Sequence, residues 1–276
     1  MDGQTLNDQE CIEIADQVYW VGFADAQTGL HCNPYLIIDG DEAVLIDSGS
    51  RDDFGTVMLK ILRTGINPGQ IKRLIYQHYD PDLCGNLPHM EAMINSPDLR
   101  VISHYENNLF INYYSQKSPK DCIEALGGRF AFSSGRALQF IRTPYAHTPG
   151  SFVTYDAKTG VLFSSDLFGG YDYGWSLYAQ IESICERCQP HDPCPVTGGR
   201  CQLAGMLDFH RRVMPSTVAL RHALSLIEGL DIRMIAPQHG SILNTPESRK
   251  AAIGQLKRLS GVGIDRFVEE GPDGSV

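Results

Sequence analysis

Ile71-Lys72-Arg73-Leu74-Ile75-Tyr76, followed directly by Gln77-His78-Tyr79-Asp80-Pro81-Asp82-Leu83-Cys84-Gly85, is a short apolar run that opens onto the densest chemistry of the chain. The run reads as a buried strand. After it, His78-x-Asp80-x-Asp82 presents one imidazole and two carboxylates at alternating positions. On extended backbone, alternation turns all three side chains to one side, where a cation can collect them. A motif this short also occurs in solvated acidic turns, so its meaning rests on the rest of the chain.

Working outward, Tyr35–Asp39 and Ala43–Asp47 are apolar runs joined by Gly40-Asp41-Glu42, a β-hairpin pattern. A helix is expected from Asp53 to Arg63, with Phe54, Val57, Leu59, Ile61 and Leu62 as its apolar side and Gly65 near its stop. Further strands are expected at Leu99–Ser103, Leu138–Arg142, Phe152–Asp156 and Val161–Ser164, the last two joined by the turn Ala157–Gly160. Ser216 is a good N-cap for a helix to about Gly229. Met234–Ala236 reads as a strand and Pro246–Leu259 as a helix. Three strand-end loops each carry one further metal-ligand candidate: His147 in Tyr145-Ala-His-Thr-Pro-Gly150, Asp166 in Phe163-Ser-Ser-Asp-Leu-Phe-Gly169, and His239 in Pro237-Gln-His-Gly240.

Composition narrows the class. The chain has 276 residues, 23 Lys plus Arg against 33 Asp plus Glu, and a formal charge of −10. Without a basic block, it lacks the footprint of a nucleic-acid binder. At 42% apolar residues it can bury a substantial core, and its length suits one α/β domain over 1–276. No apolar run approaches the ~18 residues of a membrane span, and Met1-Asp2-Gly3-Gln4 does not open a secretory signal. The expectation is a soluble, cytoplasmic protein with a frayed tail after Glu270.

These residues together resemble the metallo-β-lactamase superfamily. The hairpin ending in Asp47-Ser-Gly, the strand before His78, and the ligand order His, acid, Asp, His, Asp, His carry the likeness across most of the chain. It implies an α/β fold, an αββα sandwich that gathers such loops at one edge. Hydrolases of the superfamily typically show His-x-His-x-Asp-His, whereas this chain has Asp80 at the second His and Leu83 at the last. A carboxylate at the position of Asp80, a Leu-Pro after the motif as in Cys84-Gly-Asn-Leu-Pro88, and Leu162-Phe-Ser-Ser-Asp166-Leu-Phe-Gly169 are similar to the flavodiiron and oxygen-binding diiron branch. That resemblance implies that His78, Asp80 and His147 hold one metal, Asp82 and His239 another, and that Asp166 bridges them. Leu83 would leave a position open for O₂ or NO. A thiolate-free mixture of His and carboxylate suits two non-haem irons, with zinc as a substitute.

The same resemblance implies an oxygen sensor or carrier, or a reductase of O₂ or NO fed by an external electron donor. The tail after Gly240 is too short for a flavodoxin domain carrying FMN. A signalling partner and a homodimer are further expectations. The alternative is a dinuclear-metal hydrolase or phosphodiesterase using a metal-activated hydroxide.

Eight cysteines complete the inventory. Cys11, Cys32, Cys84 and Cys122 are scattered and read as reduced thiols. Cys185, Cys188, Cys194 and Cys201 cluster in an aperiodic insertion spanning 171–202, which the resemblance does not explain. Four cysteines in one loop match the ligand count of a zinc site or an iron–sulfur cluster. Tyr79, Tyr145, Tyr171 and Tyr173 flank the ligand loops, and His31, His89 and His104 carry no assignment.

Overall fold

The computed structural model describes residues 9–24, 29–171 and 175–269. Tyr173, the start Met1–Gln4 and the tail after Glu270 lie outside the described residues. Two β-sheets organise the chain, and the expected mixed α/β class holds. The first has seven strands in the order of the sequence: β1 (Ile12–Ala15), β2 (Val18–Trp20), β3 (Tyr35–Asp39), β4 (Glu42–Ile46), β5 (Ile71–Ile75), β6 (Arg100–Ser103) and β7 (Lys120–Cys122). Pairing is antiparallel from β1 to β4 and parallel from β4 to β7. Parallel neighbours need crossovers. These are α1 (Phe54–Arg63), then α2 (Pro81–Cys84) with α3 (Leu87–Ile94), then α4 (Tyr105–Ile111).

The second sheet contains β8 (Arg129–Ala131), β9 (Ala137–Arg142), β10 (Phe152–Asp156), β11 (Val161–Phe163) and β12 (Met234–Ala236), in the order β12-β11-β10-β9-β8. Between β11 and β12 run α5 (Gln202–Val213) and α6 (Thr217–Ile227); α7 (Pro246–Arg258) and α8 (Asp265–Glu269) follow β12. The chain divides into two compact units, Met1–Asp25 with His31–Ala137, and Ala26–Leu30 with Leu138–Val276. No helix among the described residues is long and apolar enough to cross a membrane.

Each unit has its own core. In the first, Leu36, Leu45 and Leu74 of the sheet pack with Val57 and Ile61 of α1 and Leu87 and Met90 of α3. In the second, Val153 and Leu162 pack with Met206 of α5, Leu220 and Leu224 of α6, and Leu256 of α7. At ~1.5–3 kcal/mol per fully buried large apolar side chain, these two sets stabilise the strand ends that carry the ligand loops.

Several expected boundaries are sharpened by caps. Ser216 accepts the Ala219 N–H as the N-cap of α6, and Thr245 forms a capping box with Ser248 ahead of α7. The apolar side expected for α1 is corrected. Leu59 and Leu62 are 49% and 41% exposed, whereas Met58 and Lys60 are buried. Lys60 turns inward because its ammonium finds partners there: it lies 4.0 Å from the Trp20 ring centroid and donates to the Gly22 carbonyl. A desolvated cation–π contact is worth about 2 kcal/mol, and with the charge-assisted hydrogen bond to Gly22 it offsets part of the cost of burying the ammonium. The segment 171–202 is irregular where described, apart from a 3₁₀ turn at Ser183–Glu186.

Candidate metal centre

In the first unit the ligand loop leaves the C-terminal end of β5. Its backbone is held on both sides: Tyr76 N–H donates to Ile102 O at 3.0 Å, and Gln77 N–H donates to the Asp47 carboxylate at 3.2 Å. Ser48, at the end of the hairpin, donates its hydroxyl to Leu83 O at 2.9 Å, and Asn86 donates to the Ser48 carbonyl. The Asp47-Ser-Gly turn therefore buttresses the loop, a role that the sequence pattern alone did not assign to it. His78 is buried, and its Nε2 lies 3.8 Å from Asp80 Oδ2.

The expected continuous extended backbone does not hold: β5 ends at Ile75, the chain bends at Gln77 and His78, and only Asp80, with φ of −67° and ψ of 153°, is extended again. Pro81 then starts α2, so Asp82 sits on its first helical turn. Proline pre-sets the helical φ and lacks the N–H that a first turn would leave unpaired, which is why extended backbone stops there. His78 and Asp80 come together beyond the bend that follows β5, and Asp82 is placed by the helix. A carboxylate on the first turn is also favoured by the helix dipole.

Leu83 is fully buried, and so is Cys84. The Cys84 thiol donates towards Tyr79 O at 3.1 Å and Asp80 O at 3.2 Å, so it braces the ligand loop. Burial, with the Asp47 and Asp82 carboxylates nearby, pushes this thiol far above its ordinary range. Cys84 is therefore expected to resist alkylation in the native protein at pH 8, where the thiolate is the reactive form. Peptide mass mapping after iodoacetamide checks this: labelling of Cys84 should require unfolding. Cys32, read as a scattered thiol, places its sulfur within 4.8 Å of an Asp82 carboxylate oxygen. A donor set free of sulfur thus has a buried thiol beside it that the sequence gave no reason to place there.

In the second unit three loops converge. Asp166 and His239 are almost fully buried and His147 is partly so. His147 Nε2 lies 3.6 Å from Asp166 Oδ2, and His239 Nε2 lies 3.7 Å from Asp166 Oδ1. One carboxylate thus turns one oxygen to each of two imidazoles. Two ligands ~2.1 Å from a common metal lie about 3–3.6 Å apart at ordinary coordination angles; the His147 spacing meets that limit and the His239 spacing lies 0.1 Å beyond it. The donor chemistry, imidazole with carboxylate, fits a non-haem iron or zinc.

The Asp166 loop is set by main-chain bonds: Ser164 N–H donates to Ala236 O at 3.1 Å, and Gln238 N–H donates to Ser165 O at 2.8 Å. A residue missed in the sequence completes it. His210 of α5 accepts the Phe168 N–H at 3.1 Å on Nε2, while Nδ1 lies 2.8 Å from Met206 O. With Nε2 accepting, Nδ1 carries the proton and donates. Full burial lowers the His210 pKa to about 4, so the ring is neutral. Its position in an unremarkable helix, Asp208-Phe209-His210-Arg211, offered no signal. Phe209 stands between, its ring centroid 5.7 Å from that of His239 and 5.2 Å from that of Tyr171. Gln238, next to His239, is buried with neither amide atom hydrogen-bonded among the described residues.

Other candidates fall away from ligation. His104 caps α4, accepting the Glu106 N–H, and its Nε2 lies 2.7 Å from Glu124. His89 packs on Phe54, Tyr79 stacks on Phe110, and Tyr145 is exposed. All eight cysteines are free thiols.

Comparison with known proteins follows these observations. The model of the family described as ODP family beta lactamase matches residues 30–240. A putative diflavin flavoprotein A 1 of Nostoc sp. is 26% identical over 246 residues, covering 85% of this chain and 39% of the relative. The flavodiiron protein of Giardia intestinalis shares the fold with a TM-score of 0.74 at 21% identity, over 91% of this chain and 59% of that one. The chemotaxis sensor ODP, in a structure of a peroxy diiron species, aligns with a TM-score of 0.68 at 22% identity, over 94% of this chain and 97% of that one. The chain spans about half the length of the curated relatives it matches, 56% and 52% in two cases. With the family match running from just before β3 through His239, over more than half of the chain, this chain belongs to the ODP family beta lactamases.

Proposed function

We propose that the protein is a non-haem diiron protein that binds O₂, or NO, as an oxygen sensor or carrier or as a reductase with an external electron donor. The observation that carries this reading is Asp166, whose two oxygens face two imidazoles from separate loops. In this reading the chain is one domain over 1–276 whose metal ligands are His78, Asp80, Asp82, His147, Asp166 and His239. His78, Asp80 and His147 serve one iron, Asp82 and His239 the other, and Asp166 both. A pair of ferrous ions supplies electrons and open coordination positions for a diatomic ligand.

The residues of the chain supply the rest. Leu83 sets an apolar, non-ligating side chain where hydrolases of the superfamily carry histidine, which favours a small neutral ligand over a second hydroxide-binding metal position. Cys84 and His210 hold the ligand loops in place without contacting metal. Among the similar proteins, a chemotaxis sensor forms a peroxy diiron species, which favours the sensor arm of the reading. A homodimer and an electron donor or signalling partner accompany it from the same resemblance, and a cytoplasmic location from the apolar pattern of the sequence.

Anaerobic reconstitution with ferrous iron, followed by exposure to O₂, tests the reading. A visible absorption that appears on mixing is the expected result. Iron-loaded protein that stays colourless in air and cleaves a model phosphodiester would instead establish the hydrolase alternative.

A further inference from the structure

The C-terminal ends of α5 and α7 and the chain leaving the 3₁₀ turn at Ser183–Glu186 meet around an open cavity of about 630 Å³. It lies within the second unit and is lined by none of the six candidate metal ligands. Arg187, Arg211 and Arg258 line it, one from each of those elements, together with the buried Leu207, Gln255 and Leu259. Leu207 and Arg211 stand four residues apart on α5 and so share one face of that helix. His210, the residue before Arg211, bonds the Asp166 loop instead. Three guanidiniums around one cavity run against the composition of the chain, which carries 23 Lys plus Arg against 33 Asp plus Glu.

The acceptors around the cavity are already engaged inside the protein. Gln255 donates to the Cys185 and Cys188 carbonyls at 2.9 and 3.0 Å, and Arg258 donates to the Glu186 carbonyl at 2.5 Å. At the end of α5, the His210 carbonyl accepts the Met214 N–H at 3.2 Å and the Arg211 carbonyl accepts the Gly263 N–H at 2.9 Å. Glu186 is the one acidic side chain among the described residues lining the cavity, and its carboxylate is paired with Lys250 at 2.9 Å. Arg187 and Arg211 make no side-chain hydrogen bond or ion pair among the described residues. The cavity therefore presents donors and positive charge, which an anion can answer.

We propose that this cavity binds a small aromatic phosphomonoester of mononucleotide size, its phosphate on the Arg187, Arg211 and Arg258 guanidiniums and its ring against Leu207 and Leu259. A phosphomonoester carries about −1.5 to −2 charges at pH 7 and three acceptor oxygens, so it can serve more than one guanidinium at once. The planar fork of arginine matches phosphate oxygens two at a time and also stacks on aromatic faces. A cavity of about 630 Å³ falls in the ~300–1,000 Å³ range of small-molecule sites. Inorganic phosphate alone would leave the Leu207 and Leu259 side of it wet, and covering that apolar wall is what a ring adds.

The test titrates the full-length protein with fluorescent N-methylanthraniloyl-AMP at low salt. A saturable change in fluorescence is expected, reversed by AMP but not by adenosine at the same concentration, and the same in metal-free and iron-loaded protein. An Arg187→Gln/Arg211→Gln variant should bind about 10-fold more weakly or worse, because charge-assisted hydrogen bonds are lost while the Arg258 bond to Glu186 stays in place. Circular dichroism checks its fold. Absence of saturable binding overturns the proposal, as does unchanged affinity in the variant or binding only when iron is present. Displacement by adenosine as readily as by AMP overturns the phosphate contact. Displacement by inorganic phosphate or by an oligoglutamate peptide at the concentration where AMP acts would assign the cavity to free phosphate or to an acidic protein segment, and overturns it too. If the variant does not fold, the comparison of AMP with adenosine on the wild-type protein decides alone.

Discussion

Asp166→Asn is expected to cost the protein at least one of its two proposed irons and to abolish the O₂-dependent absorption, while leaving the fold in place. The substitution keeps the shape of the side chain and removes its charge, together with one of the two oxygens facing His147 and His239 at 3.6 and 3.7 Å. Loss of a mere outer partner of a metal ligand costs about 10–100-fold in affinity, and a shared ligand contributes to two ions at once, so the loss should exceed that range. Metal content after dialysis against a weak chelator measures the effect, with circular dichroism as the control for folding. Retention of both irons at wild-type affinity would show that Asp166 does not bridge.

The second large effect is on stability at acid pH and arises from His210. Its ordinary value is 6.5 and burial depresses it to about 4 in the folded protein. The folded state therefore resists protonation that the unfolded chain accepts. The sign follows directly: the contribution is fully present above pH 6.5 and is lost as pH falls from there towards 4. A difference of this size corresponds to about 3 kcal/mol of unfolding free energy, lost across that window. His210→Gln can still accept the Phe168 N–H and does not titrate. Urea unfolding of both proteins at pH 7, 6, 5 and 4 should show the wild-type advantage shrinking by about 3 kcal/mol on the way down. A gap that stays constant with pH would mean that His210 is not buried and neutral.

Both effects bear on how far residues can be read without coordinates. The hairpin, β5, β10, β11 and the cap at Ser216 were legible because each depends on neighbours in the chain: alternation, a turn, a hydroxyl three residues from an N–H. The ligand candidates were legible for a related reason, since each stands just past an apolar run, where a loop leaves the end of a strand. His210 was not. Its role arises from packing α5 against the Asp166 loop, a contact across 42 residues that no local period encodes. The apolar side of α1 was misjudged at Leu59 and Leu62 for the same cause, since the inward turn of Lys60 between them depends on Trp20 and Gly22. Asp82 was expected on extended backbone with His78 and Asp80, but Pro81 starts a helix between Asp80 and it, so the alternation that local spacing suggested does not reach it.

The sequence by itself determined the succession of strands and helices, the order of the six candidate ligands and the grouping of four cysteines, because these depend on residue type and local spacing; the two-sheet class was implied by the family resemblance that those residues carry. Only the tertiary structure decided that Asp166 divides its oxygens between His147 and His239, and that Cys84 and His210 brace the loops. Those facts depend on main-chain bonds and buried contacts between segments far apart in the chain. Such contacts form only once the two cores have packed.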